Sequence, residues 1–141
     1  MALFNSTPKI LDSRANSTKS TESYTSSEPC VTVVIPTYNS SHKLQPTLDA
    51  LTQQARVVLE ILIVDDASDD VDLLELLISS YSDLNIRLLK CARKGNAAIS
   101  RNIGIQKAKF PIIALLDDDD LWHPFKIEQQ VKLLKKGTIV S

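Results

Sequence analysis

The chain has 141 residues, enough for one ordinary domain with an appendage but not for two full domains. Hydrophobic residues make up 43% and charged residues 23% of the chain, which excludes a wholly disordered protein. The formal net charge of −1 gives no attraction to a phosphate backbone, so we expect no nucleic-acid partner.

No apolar run approaches the length of a membrane-spanning helix, so the sequence predicts no transmembrane segment. Met1 to Phe4 is followed at once by polar residues, so the apolar core of a secretory signal is absent. Two cysteines are too few for a disulfide framework or a metal knuckle. These features together predict a cytoplasmic protein.

Residues 1–28 differ in composition from the rest of the chain. Eleven Ser or Thr residues lie between Asn5 and Ser27, with few large apolar residues among them. Such a segment buries too little apolar surface to offset the entropy lost on ordering. We therefore predict a disordered Ser/Thr-rich tail over 1–28 and a folded domain over 29–141.

From Cys30 onward, strand and helix patterns alternate along the chain. In chain order they are a strand at 31–35, a helix capped by Ser40 or Ser41, a strand at 57–64, a helix at 71–81, a strand at 85–89, a helix at 96–109, a strand at 111–116, a helix from Pro124 that ends near Gly137, and the start of a strand at 138–141. This alternation predicts an α/β fold, with a mainly parallel open sheet and helices on both faces.

Polar clusters follow three of the predicted strands. They are Pro-Thr-Tyr-Asn at 36–39, Asp-Asp-Ala-Ser at 65–68 and four aspartates at 117–120. Ligands bind outside the carboxyl ends of the strands in open α/β sheets. If the strands are parallel, the three clusters meet along one edge, which makes this edge the candidate functional site.

The four consecutive aspartates indicate a divalent metal site. Two carboxylates about 5 Å apart repel by roughly 3 kcal/mol at an effective dielectric constant near 20, so they favour a cation between them. Asp117 and Asp119 share one side of an extended chain, and Mg²⁺ or Mn²⁺ prefers such oxygen ligands. The alternative is a solvated acidic turn that caps the helix at Pro124. The pattern lacks the Gly and the distal Glu of an EF-hand.

A basic cluster surrounds the entry to the helix at 96–109, with its members at Lys90, Arg93, Lys94 and Arg101. Cations beside a helix N-terminus favour an anion such as phosphate, whereas the alternative is an ordinary solvated basic face. Asp65 and Asp66 can bond a ribose hydroxyl or a base edge, and the alternative for Asp66 or Ser68 is a helix cap. The sequence has neither a dinucleotide-binding glycine motif nor a P-loop.

Four segments, in this order, resemble the N-terminal half of family 2 glycosyltransferases of the GT-A fold. They are Val-Thr-Val-Val-Ile-Pro-Thr-Tyr-Asn at 31–39, Glu-Ile-Leu-Ile-Val-Asp-Asp-Ala-Ser at 60–68, Lys-Gly at 94–95 with Ser-Arg-Asn-Ile-Gly at 100–104, and Leu-Asp-Asp-Asp-Asp-Leu-Trp at 116–122. The resemblance covers about residues 30–134. It departs from the family at Ser40, commonly Arg or Lys there, and at Ala67, commonly Gly.

The resemblance implies a nucleotide-diphosphate-sugar donor and an inverting transfer to an acceptor hydroxyl. The implied metal ligands for Mn²⁺ or Mg²⁺ are Asp117 and Asp119. The implied donor-binding residues are Pro36, Thr37, Tyr38, Asn39, Asp65, Asp66, Lys94, Arg101 and Asp118. In this family the general base and the acceptor site lie in a second half. We therefore expect no catalytic residue before Ser141, and completion by a second chain or a missing C-terminal half.

Two other interpretations remain open at this point. One is a non-catalytic module that binds a nucleotide or a metal and lacks the acceptor site and the general base. The other is a phosphoryl-transfer domain, although such domains place their paired aspartates after the first core strand, whereas here the aspartates follow the fourth. The pattern leaves the nucleotide base, the sugar and the acceptor open.

Overall fold

The structure, a computed structural model, describes residues 2–5 and 28–135. The elements in these ranges alternate between strand and helix from Cys30 onward. They are β1 (Ala2–Asn5), β2 (Cys30–Thr37), a short 3₁₀ helix (Ser41–Lys43), α1 (Gln45–Thr52), β3 (Val58–Asp65), α2 (Val71–Ser79), β4 (Ile86–Lys90), α3 (Ala97–Lys107), β5 (Ile112–Leu115) and α4 (Lys126–Lys135).

The strands form one sheet in the order β1-β5-β2-β3-β4. The four strands from β2 to β5 are parallel to one another, and β1 pairs antiparallel with β5. Strand β3 is buried from Glu60 to Asp65, as expected for a near-continuous apolar strand covered on both faces. The predicted α/β class with a mainly parallel sheet is confirmed.

Helices cover both faces of the sheet. Buried side chains of α1, α2 and α4 pack on one face, where Leu48, Leu74 and Ile127 belong to the larger core. Helix α3 packs on the other face, where Ile103 and Ala108 lie against a smaller core with Val34. Both cores share β2, β3 and β5, so these strands form the rigid centre of the domain.

The strand order reverses at β2. The chain moves outward from β2 through β3 to β4, and α3 then returns it across the other face to β5, on the far side of β2. Right-handed crossovers require opposite faces for opposite directions of travel. The reversal places the carboxyl ends of β2 and β5 side by side, which is where open α/β sheets bind their ligands.

Gly104 allows α3 to lie unusually close to β2. A Cβ atom built on Gly104 would stand 2.3 Å from Cγ1 of Val34, well inside the contact distance of two carbon atoms. The helix therefore packs backbone against side chain at this point. The close approach holds the second half of α3 against the middle of β2.

The helix after β2 does not begin as predicted. We expected Ser40 or Ser41 to cap it, but the structure has a 3₁₀ turn at Ser41–Lys43, and α1 begins at Gln45 without a side-chain cap. The amide of Ser41 donates instead to Oδ2 of Asp70, at the start of α2. Asp70 thus satisfies the first amide of the 3₁₀ turn, and α1 itself has no side-chain cap.

The structure also differs from the predicted tail at its first residues. Ala2–Asn5 form β1, which pairs with β5 from Ala2 opposite Leu115 to Asn5 opposite Ile112. Strand β5 would otherwise leave backbone groups unpaired along its outer edge, and this pairing satisfies them. Residues 6–27, the helix end at Gly137 and the strand expected at 138–141 lie outside the described residues.

Candidate functional site

The carboxyl ends of β2, β3 and β5 meet the N-terminal end of α3 in one cleft of about 410 Å³. The three polar clusters of the sequence therefore lie along one edge, as their pattern predicts. The cleft is lined by Pro36, Thr37, Tyr38, Asp66, Lys94, Ala97, Ser100, Arg101, Asp117, Asp118 and Asp119. Of the predicted site residues, all but Asn39 and Asp65 line it.

Asp65 lies beneath the cleft in a network of short hydrogen bonds. Its Oδ1 accepts from the Thr37 hydroxyl at 3.0 Å and from the Ser68 hydroxyl at 2.6 Å, and its Oδ2 accepts from the Ser68 amide at 2.9 Å. The carboxylate is 1% exposed, so these donors stabilise its charge. Asp65 thus joins the turns that follow β2 and β3.

Asn39 reinforces the same junction from the side. Its backbone amide donates to the Ser68 hydroxyl oxygen, and its side-chain Oδ1 accepts from the amide of Asp69, each at 2.8 Å. Its φ of 48° lies in the left-handed region, which asparagine tolerates better than most residues. We call Thr37, Asn39, Asp65, Asp66 and Ser68 the buried corner.

Asp66 connects the buried corner to the loop before α3. Its Oδ1 accepts from the amide of Gly95 at 2.7 Å, and its Oδ2 lies 3.4 Å from Nζ of Lys94. The same ammonium group lies 4.1 Å from the ring centroid of Tyr38, a cation–π contact. Asp66, Lys94 and Tyr38 therefore form one wall of the cleft, with the Tyr38 ring 43% exposed.

The four aspartates after β5 form the opposite wall; we call residues 117–120 the acidic loop. Oδ1 of Asp117 lies 3.0 Å from Nη2 of Arg101, and Oδ1 of Asp118 lies 3.7 Å from Nζ of Lys43. Asp120 does not line the cleft, and its Oδ2 accepts from the Asp117 amide instead at 3.4 Å. Three carboxylates thus face the cleft, and Arg101 offsets part of their charge.

The thiol of Cys91 also lies in this negatively charged region. Burial raises the pKa of Cys91 above its usual value, and the charges of Asp66 and Asp65 raise it further. A thiol with a raised pKa carries little thiolate at neutral pH. Cys91 is therefore unsuited to act as a nucleophile here.

The family model for glycosyl transferase family 2 matches residues 32–141. The chain belongs to this family. It is 41% identical over 106 residues to the amylovoran biosynthesis glycosyltransferase AmsB of Erwinia amylovora, which covers 74% of this chain and 35% of AmsB.

Two solved structures superpose on the chain. S. aureus TarS, solved in complex with UDP-GlcNAc, has a TM-score of 0.68 at 23% identity over 75% of this chain and 31% of TarS. The mannosyltransferase PcManGT of Pyrobaculum calidifontis, in complex with GDP-Man and Mn²⁺, has a TM-score of 0.60 at 29% identity over 65% of this chain and 28% of PcManGT. The chain thus spans about a third of the length of these proteins.

Two residues of the cleft were not predicted from the sequence. Ala97 and Ser100 lie in the first turns of α3 and line the cleft. Ser100 is fully buried, and its hydroxyl has no hydrogen-bond partner among the described residues. Ser100 lies one helical turn before Gly104, on the helix face closest to β2. The spacing of these two small residues could have predicted that this face is buried.

The basic cluster divides into two parts in the structure. Lys94 and Arg101 line the cleft, whereas Lys90 and Arg93 do not, and Nζ of Lys90 pairs with Glu75 at 3.0 Å. The helix-cap alternative for Asp66 is also resolved, because Asp70 precedes α2 and the Asp66 carboxylate bonds the loop before α3 instead. Asn96, whose side chain accepts from the Ile99 amide, caps α3.

The described residues hold no group of three or more His, Cys, Asp and Glu side chains arranged to bind a metal ion. The acidic loop nevertheless supplies carboxylates of the kind that Mg²⁺ and Mn²⁺ prefer, with Asp117, Asp118 and Asp119 lining the cleft. A divalent ion with two protein carboxylates fits when phosphate oxygens and water complete its shell.

In the part of the chain that is described, no helix is long and apolar enough to cross a bilayer.

Proposed function

We propose that this chain forms the donor-binding unit of an inverting glycosyltransferase and binds a nucleotide-diphosphate sugar together with Mn²⁺ or Mg²⁺. One observation supports the proposal. In a single cleft of this family 2 chain, Tyr38 and Asp66 lie on one wall, and Arg101 and the acidic loop lie on the other. The cytoplasmic localisation expected from the sequence is part of this proposal.

The wall formed by Asp66, Lys94 and Tyr38 suits the nucleoside. An exposed tyrosine ring offers a flat apolar face for base stacking. A carboxylate has about four lone-pair sites, and Asp66 uses two of them on Gly95 and Lys94. The remaining sites can accept hydrogen bonds from a base edge or a ribose hydroxyl, while Gly95 and Lys94 hold the carboxylate in place.

The opposite wall, together with Lys94 from the first wall, suits the diphosphate. Arg101 and Lys94 are two cations on either side of the N-terminal end of α3, and guanidinium groups bind phosphate oxygens in a bidentate manner. In this proposal Asp117 and Asp119 bind the divalent ion and Asp118 contacts the donor. When bound, the ion neutralises negative charge that develops on the departing diphosphate.

The proposed reaction is sugar transfer by direct displacement. An acceptor hydroxyl oxygen forms a bond to the anomeric carbon, the bond from that carbon to the diphosphate oxygen breaks with its electron pair, and the hydroxyl proton goes to a general base. Attack opposite the leaving group inverts the configuration of the carbon. Arg101 and Lys94 stabilise the leaving diphosphate by their charge.

The acceptor site and the general base are not assigned to the cleft. The Asp66 carboxylate is buried and bonded, and Asp117 is paired with Arg101. Because the chain spans about a third of AmsB and of the solved neighbours, the proposal assigns acceptor binding and proton removal to residues outside the described part, on this or a second polypeptide.

A thermal-shift panel on the full 141-residue chain tests the proposal. UDP, GDP, dTDP and their sugars are each measured with Mn²⁺ and with EDTA, because a ligand that binds only the native state raises its melting temperature. We expect a Mn²⁺-dependent shift for the nucleotides of one base. No shift from a protein that is folded by circular dichroism would contradict the proposal.

Asp119→Asn tests the acidic loop within the same panel. We expect it to remove the Mn²⁺-dependent part of the shift and to leave the melting temperature without ligand within about 2 °C, since the side chain is exposed. Asp83→Asn, an exposed aspartate in the loop before β4, is the matched control and should shift like the parent chain. A full Mn²⁺-dependent shift in the Asp119 variant would contradict the metal assignment.

A further inference from the structure

We infer that Thr47 is a positioning residue for the acidic loop, and that its hydroxyl sets how the proposed metal ligands converge. This inference rests on the donor site proposed above. Thr47 lies on α1 and does not line the cleft, so it acts through the loop and not on the donor.

The hydroxyl of Thr47 bridges two carbonyl oxygens of the acidic loop. Its Oγ1 lies 2.9 Å from the carbonyl oxygen of Asp118 and 3.0 Å from that of Asp120, so one proton is shared between two acceptors. These carbonyls flank Asp119, the proposed metal ligand. The Thr47 side chain is buried, at 1% exposure, which makes the contact difficult for water to replace.

The acidic loop has only weak hydrogen bonds of its own. The Asp120 amide donates to the Asp117 carbonyl at 3.2 Å, and the Asp117 amide donates to Asp120 Oδ2 at 3.4 Å. Both are longer than the two contacts with Thr47. The conformation of the loop therefore depends on a donor from another element of the fold.

Helix α1 is a firm support for this contact. Its Leu48 and Leu51 are buried in the larger core, on the same face of the helix as Thr47. Beyond the helix, Gln54 donates to the carbonyl of His123 at 2.9 Å and accepts from the amide of Ile127 at 3.2 Å. The segment between β5 and α4 is thus anchored at both its start and its end on α1 and the residues just after it.

The expected consequence concerns carboxylate geometry. Neighbouring carboxylates repel, so an unanchored loop spreads them apart when no cation lies between them. A residue that fixes the backbone on both sides of Asp119 keeps it close to the position required for a shared ion. Loss of such supporting contacts typically lowers metal affinity by about tenfold or more.

Three variants of the full chain test the inference. Thr47→Val keeps the shape but removes the hydroxyl, Thr47→Ser keeps the hydroxyl, and Thr52→Val makes the same change at an exposed threonine of α1, whose hydroxyl bonds Asp49. Mn²⁺ affinity is measured by electron paramagnetic resonance with saturating UDP, or GDP if the panel selects it. Nucleotide affinity in EDTA is measured by calorimetry.

We expect Thr47→Val to weaken Mn²⁺ binding about tenfold while nucleotide affinity in EDTA changes less than about twofold. Thr47→Ser should remain within about threefold of the parent chain, and Thr52→Val should match it. A purely structural role predicts instead an equal loss with and without metal. Three results would overturn the inference. They are an equal loss of affinity with and without metal, a Val variant with the Mn²⁺ affinity of the parent chain, and a Ser variant that binds Mn²⁺ as weakly as the Val variant.

Folding is checked by urea unfolding of each variant. If Thr47→Val does not fold, Thr47→Cys replaces it, because a thiol of similar size is only a weak donor. Equal Mn²⁺ affinity of the Cys variant and the parent chain then contradicts the role of the hydroxyl. A parent chain that binds no nucleotide with Mn²⁺ contradicts the donor site itself, and the positioning role is rejected with it.

Discussion

The buried corner, which lies beneath one wall of the cleft, and the acidic loop, which forms the other wall, are built in opposite ways. In the buried corner the carboxylates of Asp65 and Asp66 are almost inaccessible to solvent, and short hydrogen bonds from the turns after β2, β3 and β4 hold them. In the acidic loop, by contrast, Asp117 is 58% exposed and has one ion pair, and the backbone is held from α1. Buried groups held by several hydrogen bonds are rigid, whereas exposed ion pairs contribute little to stability.

This difference separates two tasks that the proposed function requires. A nucleoside is recognised by fixed hydrogen-bond partners, and the buried corner supplies them already in place. A divalent ion and a diphosphate arrive with their own charges, and carboxylates that can exchange one partner for another accommodate them. We therefore expect substitutions in the buried corner to lower stability as well as nucleoside binding, and substitutions in the acidic loop to affect mainly the binding of the ion and the diphosphate.

The largest expected effect is on stability, in the buried corner. Asp65→Ala leaves the Thr37 hydroxyl and the Ser68 amide and hydroxyl without their acceptor, and we expect a loss of about 3 kcal/mol in the free energy of unfolding. Urea unfolding measures it. Asp83→Ala is the exposed control and should change the free energy by less than about 0.5 kcal/mol. Equal losses in the two variants would contradict the stabilising role of the buried Asp65 carboxylate.

An intermediate effect is expected at the ion pair that links α3 to the acidic loop. Arg101→Gln removes the cation from Asp117. Mn²⁺ alone should then bind about fivefold more tightly, a change that corresponds to the free energy of a partly exposed ion pair. Nucleoside diphosphate in EDTA should bind more weakly, because a phosphate partner is lost. Calorimetry measures both affinities.

The control for this prediction is Lys90→Gln, which breaks a similar exposed ion pair with Glu75 away from the cleft. It should change neither affinity. Unaltered Mn²⁺ binding in the Arg101 variant would mean that Arg101 and the ion do not compete for Asp117.

The smallest expected effect comes from backbone strain in the turn after β3. Ala67 has a φ of 61°, in the left-handed region where a Cβ atom is disfavoured. Ala67→Gly should therefore raise the free energy of unfolding by about 0.5 kcal/mol, after the entropy gained by the unfolded chain is subtracted. Ala92→Gly, in an exposed loop without a positive φ, should lower it instead. The same sign in both variants in thermal unfolding would exclude strain as the cause.

The sequence predicts those parts of the fold that depend on local pattern. The nearly continuous apolar run at 57–64 predicted a strand covered on both faces, and the structure has β3 at Val58–Asp65, between β2 and β4 and buried from Glu60 onward. The three polar clusters fell at strand ends, and the parallel order of the strands placed them on one edge. Such periodicity is a property of each segment by itself.

Contacts between segments are what the pattern did not contain. The 3₁₀ turn before α1 is bonded at Ser41 by Asp70, which lies some thirty residues further along the chain, so Ser40 and Ser41 gave a misleading local signal. Thr47 occupies a position on the apolar stripe of α1 with Leu44, Leu48 and Leu51, which marks it as buried but not as a partner of the acidic loop. Asp65 and Asp66 are adjacent and chemically identical, and they differ only in the contacts that each makes in the folded structure.

The pairing of β2 with β5 has a consequence for how the protein folds. Val31 lies opposite Ile112, although about eighty residues separate them in the chain, and the acidic loop reaches the cleft only when this pairing is complete. Contacts of such high sequence separation form slowly, because loop-closure entropy is lost before the contact is gained. The local β3–β4 pairing can precede it. Nucleotide binding during refolding therefore reports when β5 has paired with β2. The state that binds the nucleotide should appear later than most of the helical circular-dichroism signal.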